Sequence, residues 1–239
     1  MRAMEMTFVL VPGAGGAAWD WHLLLPELRR LGHQAVAVDL PAADEEAGLA
    51  AYADAIVAAA GRPELVLVAH SMGAFSAPLA CDRLPVRRLV LLNAMIPAPG
   101  ESFGDWWAAT GQQEARRAFD VREGRDPDAE YDEIVSFFHD VPQAVIDEYA
   151  ARGEPAQAEK PCVEPWPLDA WPTVPTRVLA ARDDRVFPHD FQVRVARERL
   201  GITPETVPGG HMCALSRPAE LARALSEETL SEESRRPAS

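Results

Sequence analysis

Along the chain, short runs of aliphatic and β-branched residues alternate with longer segments rich in alanine and leucine. The short runs, at 7–11, 34–40, 65–69, 89–93, 176–181 and 205–207, have strand length, whereas 19–31, 46–60, 72–83, 189–200 and 218–230 have helical length. The strands are apolar at nearly every position rather than at every second one, which means burial on both faces. With helices between them they predict a mostly parallel sheet of about six strands flanked by helices, an α/β fold.

The alternation stops between residues 97 and 175. No strand pattern appears there, and Trp106, Trp107, Phe119, Tyr131, Phe137, Phe138, Tyr149, Trp166 and Trp171 are interleaved with acids and prolines. A structureless loop of that length is foreign to compact domains, so the segment reads as a helical insertion. Following a sheet strand, it is placed to act as a lid over a pocket; packing onto the sheet would explain its aromatics equally well. Trp106, Trp107, Phe137, Phe138 and His139 are the candidates for lining such a pocket. The domain reading is one α/β domain over 1–239, with a helical lid at 97–175 and a flexible tail at 231–239, where "EESRRPAS" closes the chain in small polar residues.

Polar residues at the ends of the apolar runs raise the question of chemistry. In "LVLVAHSMGAF" a serine follows the third strand directly. A ligand binds a parallel sheet at the carboxyl ends of its strands. A sharp strand-to-helix turn there needs small residues on either side of the serine, and Ala69 and Gly73 supply them. The sequence Ala-His-Ser-Met-Gly differs by one methyl group from the G-x-S-x-G turn that exposes a serine nucleophile.

A serine hydroxyl requires a base. Of the six histidines, His211 follows "VPGG" after the last strand and precedes the last helix. His22 and His33 flank the first helix, His189 begins a helix, His139 lies in the insertion, and His70 is expected to point away from Ser71. An orienting carboxylate is available from Asp183 or Asp184 in "VLAARDDRVFP", whereas the end of the 89–93 strand offers only the uncharged Asn93. The order Ser, Asp, His at three strand ends suits acyl transfer on this kind of sheet. Charge on a tetrahedral intermediate would be met by backbone N–H groups, one from Met72 and one from Ala14 in the glycine-rich "VPGAGGAAW". That run lacks the Lys-Ser/Thr ending of a P-loop and does not spell G-x-G-x-x-G, which disfavours nucleotide binding.

The 23 Lys and Arg against 37 Asp and Glu leave a formal charge of −14, which argues against nucleic acid or an anionic membrane surface. The expected partner is a small-molecule substrate; a homodimer is compatible with the sequence. Cys81, Cys162 and Cys213 suggest neither a disulfide framework nor a metal site. No metal or organic cofactor is expected. The apolar run near the N-terminus is only strand length, so the expectation is a cytoplasmic protein without a secretory signal.

The stretches "FVLVPGAGGAAWDWHLLLPELRRLGHQAVAVDLP", "LVLVAHSMGA", "RLVLLNAMIP", "DDRVFPHDFQ" and "GGHMCALSRPAELARAL" resemble the α/β-hydrolase superfamily, and within it the plant methylesterase and hydroxynitrile lyase group with its bacterial esterase relatives. They cover nearly all of the chain except the insertion. The resemblance implies a carboxylic ester hydrolase with Ser71, Asp184 and His211 as its triad. The family pattern G-x-x-D-x-x-x-P aligns with Ala181, Asp184 and Pro188, which favours Asp184 over Asp183. Three departures stand out. Pro12-Gly13 replaces the family's His-Gly, and Met212 stands where the lyases carry a lysine after the catalytic histidine. The lyases also place a threonine at the position of Gly13. The last two differences favour hydrolysis over cyanohydrin cleavage. The alternatives are a lyase or C–C bond hydrolase, or a cofactor-free oxygenase or perhydrolase, on the same scaffold, and a weakly active ligand-binding protein.

Overall fold

The computed structural model describes residues 5–61, 64–153 and 155–227; the tail expected at 231–239 lies outside them. Six strands form one sheet: β1 (Thr7–Val11), β2 (Gln34–Ala37), β3 (Leu65–His70), β4 (Val86–Leu92), β5 (Thr176–Ala181) and β6 (Glu205–Val207). They lie in the order β2-β1-β3-β4-β5-β6, and every neighbouring pair is parallel. Because β2 lies on one side of β1 and β3 on the other, the chain reverses its direction of travel across the sheet at β1, and the carboxyl ends of β1 and β3 flank a crevice.

The covering helices are α1 (Leu24–Arg30), α2 (Leu49–Ala60) and α3 (Ala77–Ala80), then α9 (His189–Leu200), α10 (Cys213–Ser216) and α11 (Pro218–Ser226). Between β4 and β5 come five more: α4 (Phe103–Thr110), α5 (Gln112–Arg122), α6 (Glu133–Phe137), α7 (Gln143–Ala151) and α8 (Lys160–Val163). Successive strand residues enter opposite cores, as the pleat requires. Phe8, Leu10, Val66, Val68 and Leu92 pack with Leu24, Leu28 and Leu221. Val9, Val11, Leu65, Leu67 and Leu91 pack with Tyr52, Ile56, Phe75 and Phe191 on the other face. This double burial is why the strands read as unbroken apolar runs.

Local chemistry shortens some expected elements. The helix expected at 72–83 is a 3-10 turn over Ser71–Phe75 followed by the single helical turn α3, with Pro78 near its start, where a missing N–H costs nothing. The helix expected from 19 begins at Leu24, after a 3-10 turn over Ala18–Trp21. The insertion is tied at its neck, where Gly100 N–H donates to the Trp166 carbonyl and Trp166 N–H to that of Glu101, at 3.0 and 2.9 Å. Arg199 of α9 grips Glu101 with both terminal guanidinium nitrogens.

Candidate active site

The buried strand β3 delivers Ser71 into a left-handed backbone conformation, φ +50°, which a β-carbon disfavours by about 1–3 kcal/mol. The surroundings hold it there. Met95 N–H donates to the Ser71 carbonyl at 3.0 Å, which ties the turn to the chain leaving β4. Two residues on, Gly73 runs so close to β1 that a β-carbon would stand 2.5 Å from the Pro12 carbonyl oxygen. Any side chain there would push the turn off the sheet.

His211 lies in the loop after β6 and Asp184 in the loop after β5. The Nδ1 of His211 is 2.8 Å from Oδ2 of Asp184, and both side chains are fully enclosed. The carboxylate is oriented by the backbone N–H groups of Val186 and Phe187, which donate to Oδ1 at 2.8 and 2.9 Å, and by Nε2 of Gln192 at 3.3 Å from Oδ2. Asp183 faces solvent and pairs with Arg182. The imidazole is framed by the rings of Phe137 and Phe187, at centroid distances of 4.9 and 5.1 Å. Its Nε2 is buried and takes no hydrogen-bond partner among the described residues. Ser71 and His211 line the same cavity, and no hydrogen bond joins them; catalytic hydrogen bonds of this kind commonly tighten only when substrate binds.

Two supporting side chains escaped the sequence reading. Asn93, wholly buried with φ +45°, donates from Nδ2 to the His211 carbonyl at 2.9 Å and accepts the Ala181 N–H on Oδ1 at 2.8 Å. It stands just past β4, the position weighed for an alternative acid, and instead ties the histidine loop to β5. His70, expected to point away from Ser71, also borders the cavity; its Nε2 donates to the same carbonyl at 3.0 Å, and its ring lies 4.7 Å from that of His211. Burial, and then the neighbouring imidazole, hold its pKa well below the ordinary histidine value, so it stays neutral near pH 7. The signal for both was their position at the last residue of a strand or just past it, which sequence alone could not separate from core filling.

The loop after β1 passes directly in front of Ser71: a β-carbon on Gly13 would come within 3.0 Å of the serine Cβ. The N–H of Ala14 takes no protein acceptor among the described residues. Met72, the second residue of its 3-10 turn, belongs to the opening set of N–H groups that lack intrahelical partners.

The cavity in front of these groups measures about 460 Å³. Trp107, Phe137 and Phe138 border it, together with Met95, Phe103 and Val186. Trp106 and His139, also candidates for the wall, do not. On α4 the two tryptophans point about 100° apart; Trp106 is the inward one, with Nε1 on the Ile96 carbonyl at 3.0 Å and its ring against Phe187 and Phe191. His139 is turned against the histidine loop, where its ring abuts Gly210. Polar side chains line the cavity as well: Asp20, Glu133, Tyr149 and Arg152, with Tyr149 donating to Glu133 at 2.8 Å. Burial raises the Asp20 carboxyl to about 7; Arg152 opposes this and Asp39 adds to it.

The profile of the alpha/beta hydrolase family matches residues 8–224. The probable esterase PIR7A of Oryza sativa subsp. indica is 42% identical over 110 residues, which take in 41% of this chain and 42% of that protein. Methyl jasmonate esterase 1 of Vitis vinifera is 31% identical over 144 residues, 55% of this chain and 52% of that one. The matched stretches thus span about half or less of these relatives. Among solved structures, polyneuridine aldehyde esterase superimposes with a TM-score of 0.71 at 21% identity, over 96% of this chain and all of the other. A pyrethroid hydrolase from Sphingobium faniae JZ-2 does so with a TM-score of 0.68 at 20% identity, over 97% of this chain and 100% of that one. At these identities the likeness is one of fold.

Proposed function

Since the chain belongs to the alpha/beta hydrolase family, we propose that it hydrolyses carboxylic esters through an acyl-enzyme on Ser71. The observation that carries this reading is the 2.8 Å contact between His211 Nδ1 and Asp184 Oδ2, with the same imidazole sharing a cavity with a serine in strained backbone. The names of the relatives, esterases and a methyl jasmonate esterase among them, agree with it.

With Nδ1–H donated to Asp184, the neutral tautomer of His211 carries its lone pair on Nε2. That nitrogen takes the Ser71 proton as Oγ attacks the ester carbonyl, and Asp184 stabilises the imidazolium. The N–H groups of Ala14 and Met72 receive the oxyanion. As the intermediate collapses, the imidazolium gives its proton to the departing alkoxide and an alcohol leaves. Water then enters, His211 removes one of its protons, and the same steps release a carboxylic acid and restore Ser71. His70, neutral beside the imidazolium, adds no repelling charge. The insertion acts as the lid, and the apolar rings of Trp107, Phe137 and Phe103 select an ester with a bulky apolar group.

Hydrolysis of p-nitrophenyl butyrate tests the reading. The wild type is expected to turn over and to be inactivated by an aryl phosphonate, while Ser71→Ala loses at least 10³-fold in kcat. An active wild type whose Ser71→Ala variant keeps its rate would refute the mechanism.

A further inference from the structure

The loop that faces Ser71 is held by more than the sheet. Its turn is closed by the Gly16 N–H on the Gly13 carbonyl at 3.2 Å, with Gly15 and Gly16 at φ +80° and +64°. The N–H of Gly15 donates instead to Oε1 of Gln157 at 3.0 Å, a side chain 142 residues later in the insertion. Nε2 of Gln157 donates to the Ala158 carbonyl at 3.0 Å and to the Tyr52 hydroxyl at 3.1 Å. A carbonyl can only accept, so this contact fixes which end of the amide is nitrogen and leaves the oxygen for Gly15.

Gln157 is presented from a firm support. Ala158 N–H bonds the Ala42 carbonyl at 2.7 Å, the Glu164 carboxylate accepts the Leu49 N–H at the start of α2 at 2.7 Å, and Trp166 Nε1 reaches the Phe75 carbonyl at 3.1 Å. Pro155 closes the loop from outside; a β-carbon on Gly15 would meet its Cβ at 2.8 Å. The Gly15 nitrogen shares a rigid peptide plane with the Ala14 carbonyl, so holding that plane restricts the direction of the Ala14 N–H one residue upstream. Of the loop's N–H groups, Gly15 and Gly16 are occupied, whereas Gly13, Ala14 and Ala17 have no acceptor among the described residues, and the Ala14 group is the one whose direction the Gly15 peptide restricts.

We infer that Gln157 is a positioning residue for ester hydrolysis: its side-chain carbonyl holds the Gly15 peptide so that the Ala14 N–H faces the oxyanion. The insertion thereby governs the chemical step as well as the shape of the cavity. This rests on the reading above, in which Ala14 is an oxyanion donor.

The test compares Gln157→Leu, which removes the acceptor, with Gln157→Glu, which keeps it. The readouts are steady-state hydrolysis of p-nitrophenyl butyrate and inhibition by an aryl trifluoromethyl ketone, whose adduct with Ser71 carries an oxyanion. Gln157→Leu is expected to lower kcat 10- to 100-fold with KM within about threefold, because removing an oxyanion donor outright costs about 10²–10³. It should weaken the ketone by the same factor, and Gln157→Glu, which keeps the acceptor for Gly15 but loses the donations to the Ala158 carbonyl and the Tyr52 hydroxyl and adds a charge, should fall between Gln157→Leu and the wild type in both. Tyr52→Phe removes only the hydroxyl bonded to Nε2 and is the milder probe should Gln157→Leu melt below the assay temperature; about a two- to fivefold loss of kcat at constant KM is expected, well below the donor-removal limit. An unchanged kcat in Gln157→Leu overturns the inference, as does a loss of kcat without loss of ketone affinity or, where Tyr52→Phe decides, its unchanged kcat. These results leave the ester hydrolase standing if Ser71→Ala is inactive, whereas a Ser71→Ala variant at full rate overturns both.

Discussion

Ser71, Asp184 and His211 are 7%, 0% and 1% exposed, whereas α6 and α7, across the same cavity, bury none of their residues. On the strand side the groups that orient Asp184 and the histidine loop are engaged. Asp184 accepts four hydrogen-bond contacts and the His211 carbonyl accepts two. On the insertion side Tyr131 is 67% and Val135 49% exposed, and Tyr149 depends on a solvent-facing bond to Glu133. Regions with little burial and exposed hydrogen bonds open at low cost. The chemistry of the proposed reaction therefore sits where the backbone is over-determined, and substrate selection sits where residues can be exchanged cheaply. Gln157 is the exception: an insertion residue wired into the chemical side.

Substitutions on the strand side should give the largest effects. Asp184→Asn keeps the shape but loses the charge that fixes the tautomer, and kcat on p-nitrophenyl butyrate should fall about 10³–10⁴-fold with little change in KM. A loss under tenfold would show that the buried pair is structural. Asn93→Ala should come next. It leaves the buried Ala181 N–H without an acceptor and takes one donor from the His211 carbonyl. A buried group without its partner costs about 1–3 kcal/mol, which in a chain of this size is a drop of about 2–12 °C in Tm, and kcat should fall roughly tenfold through the loosened histidine loop.

Across the cavity the effects should be smaller and of another kind. Trp107→Phe is expected to alter KM more than kcat and to shift the preference between acetate and longer acyl esters about three- to tenfold, on the scale of one or two methylene contacts. A matching shift from Trp106→Phe, whose ring lies outside the cavity, would contradict that division.

The smallest effect concerns Asp20. Its folded-state pKa of about 7 lies above the ordinary aspartate value of 3.8, so between those values the folded protein binds a proton that the unfolded chain releases. Stability therefore declines as pH rises through that window. Asp20→Asn removes the cost of burying the charge: it should melt roughly 2–4 °C above wild type at pH 8, about 1 kcal/mol, with the difference vanishing below pH 4. A difference that grows toward acid would reverse the assignment.

The strands, their parallel arrangement and the placing of Ser71, Asp184 and His211 at three strand ends were legible along the chain. Burial on both faces and turn chemistry are local properties, written in consecutive residues. The family pattern, rather than periodicity, separated Asp184 from Asp183. Other features needed the folded chain. Trp106 and Trp107 are neighbours with the same chemistry, and only the packing of α4 against Phe187 and Phe191 decides which one meets the cavity. His139 looked like a pocket residue because it sits among aromatics, but the loop at Gly210 claims its ring. Asn93, Asp20 and Gln157 carry no local mark, since the partners that give them their roles, Ala181, Arg152 and Gly15, lie 88, 132 and 142 residues away along the chain. Sequence determined where backbone elements begin, end and expose a polar residue; tertiary structure decided which distant side chain reaches which loop, because those contacts follow from how whole elements pack and not from the order of residues within any one of them.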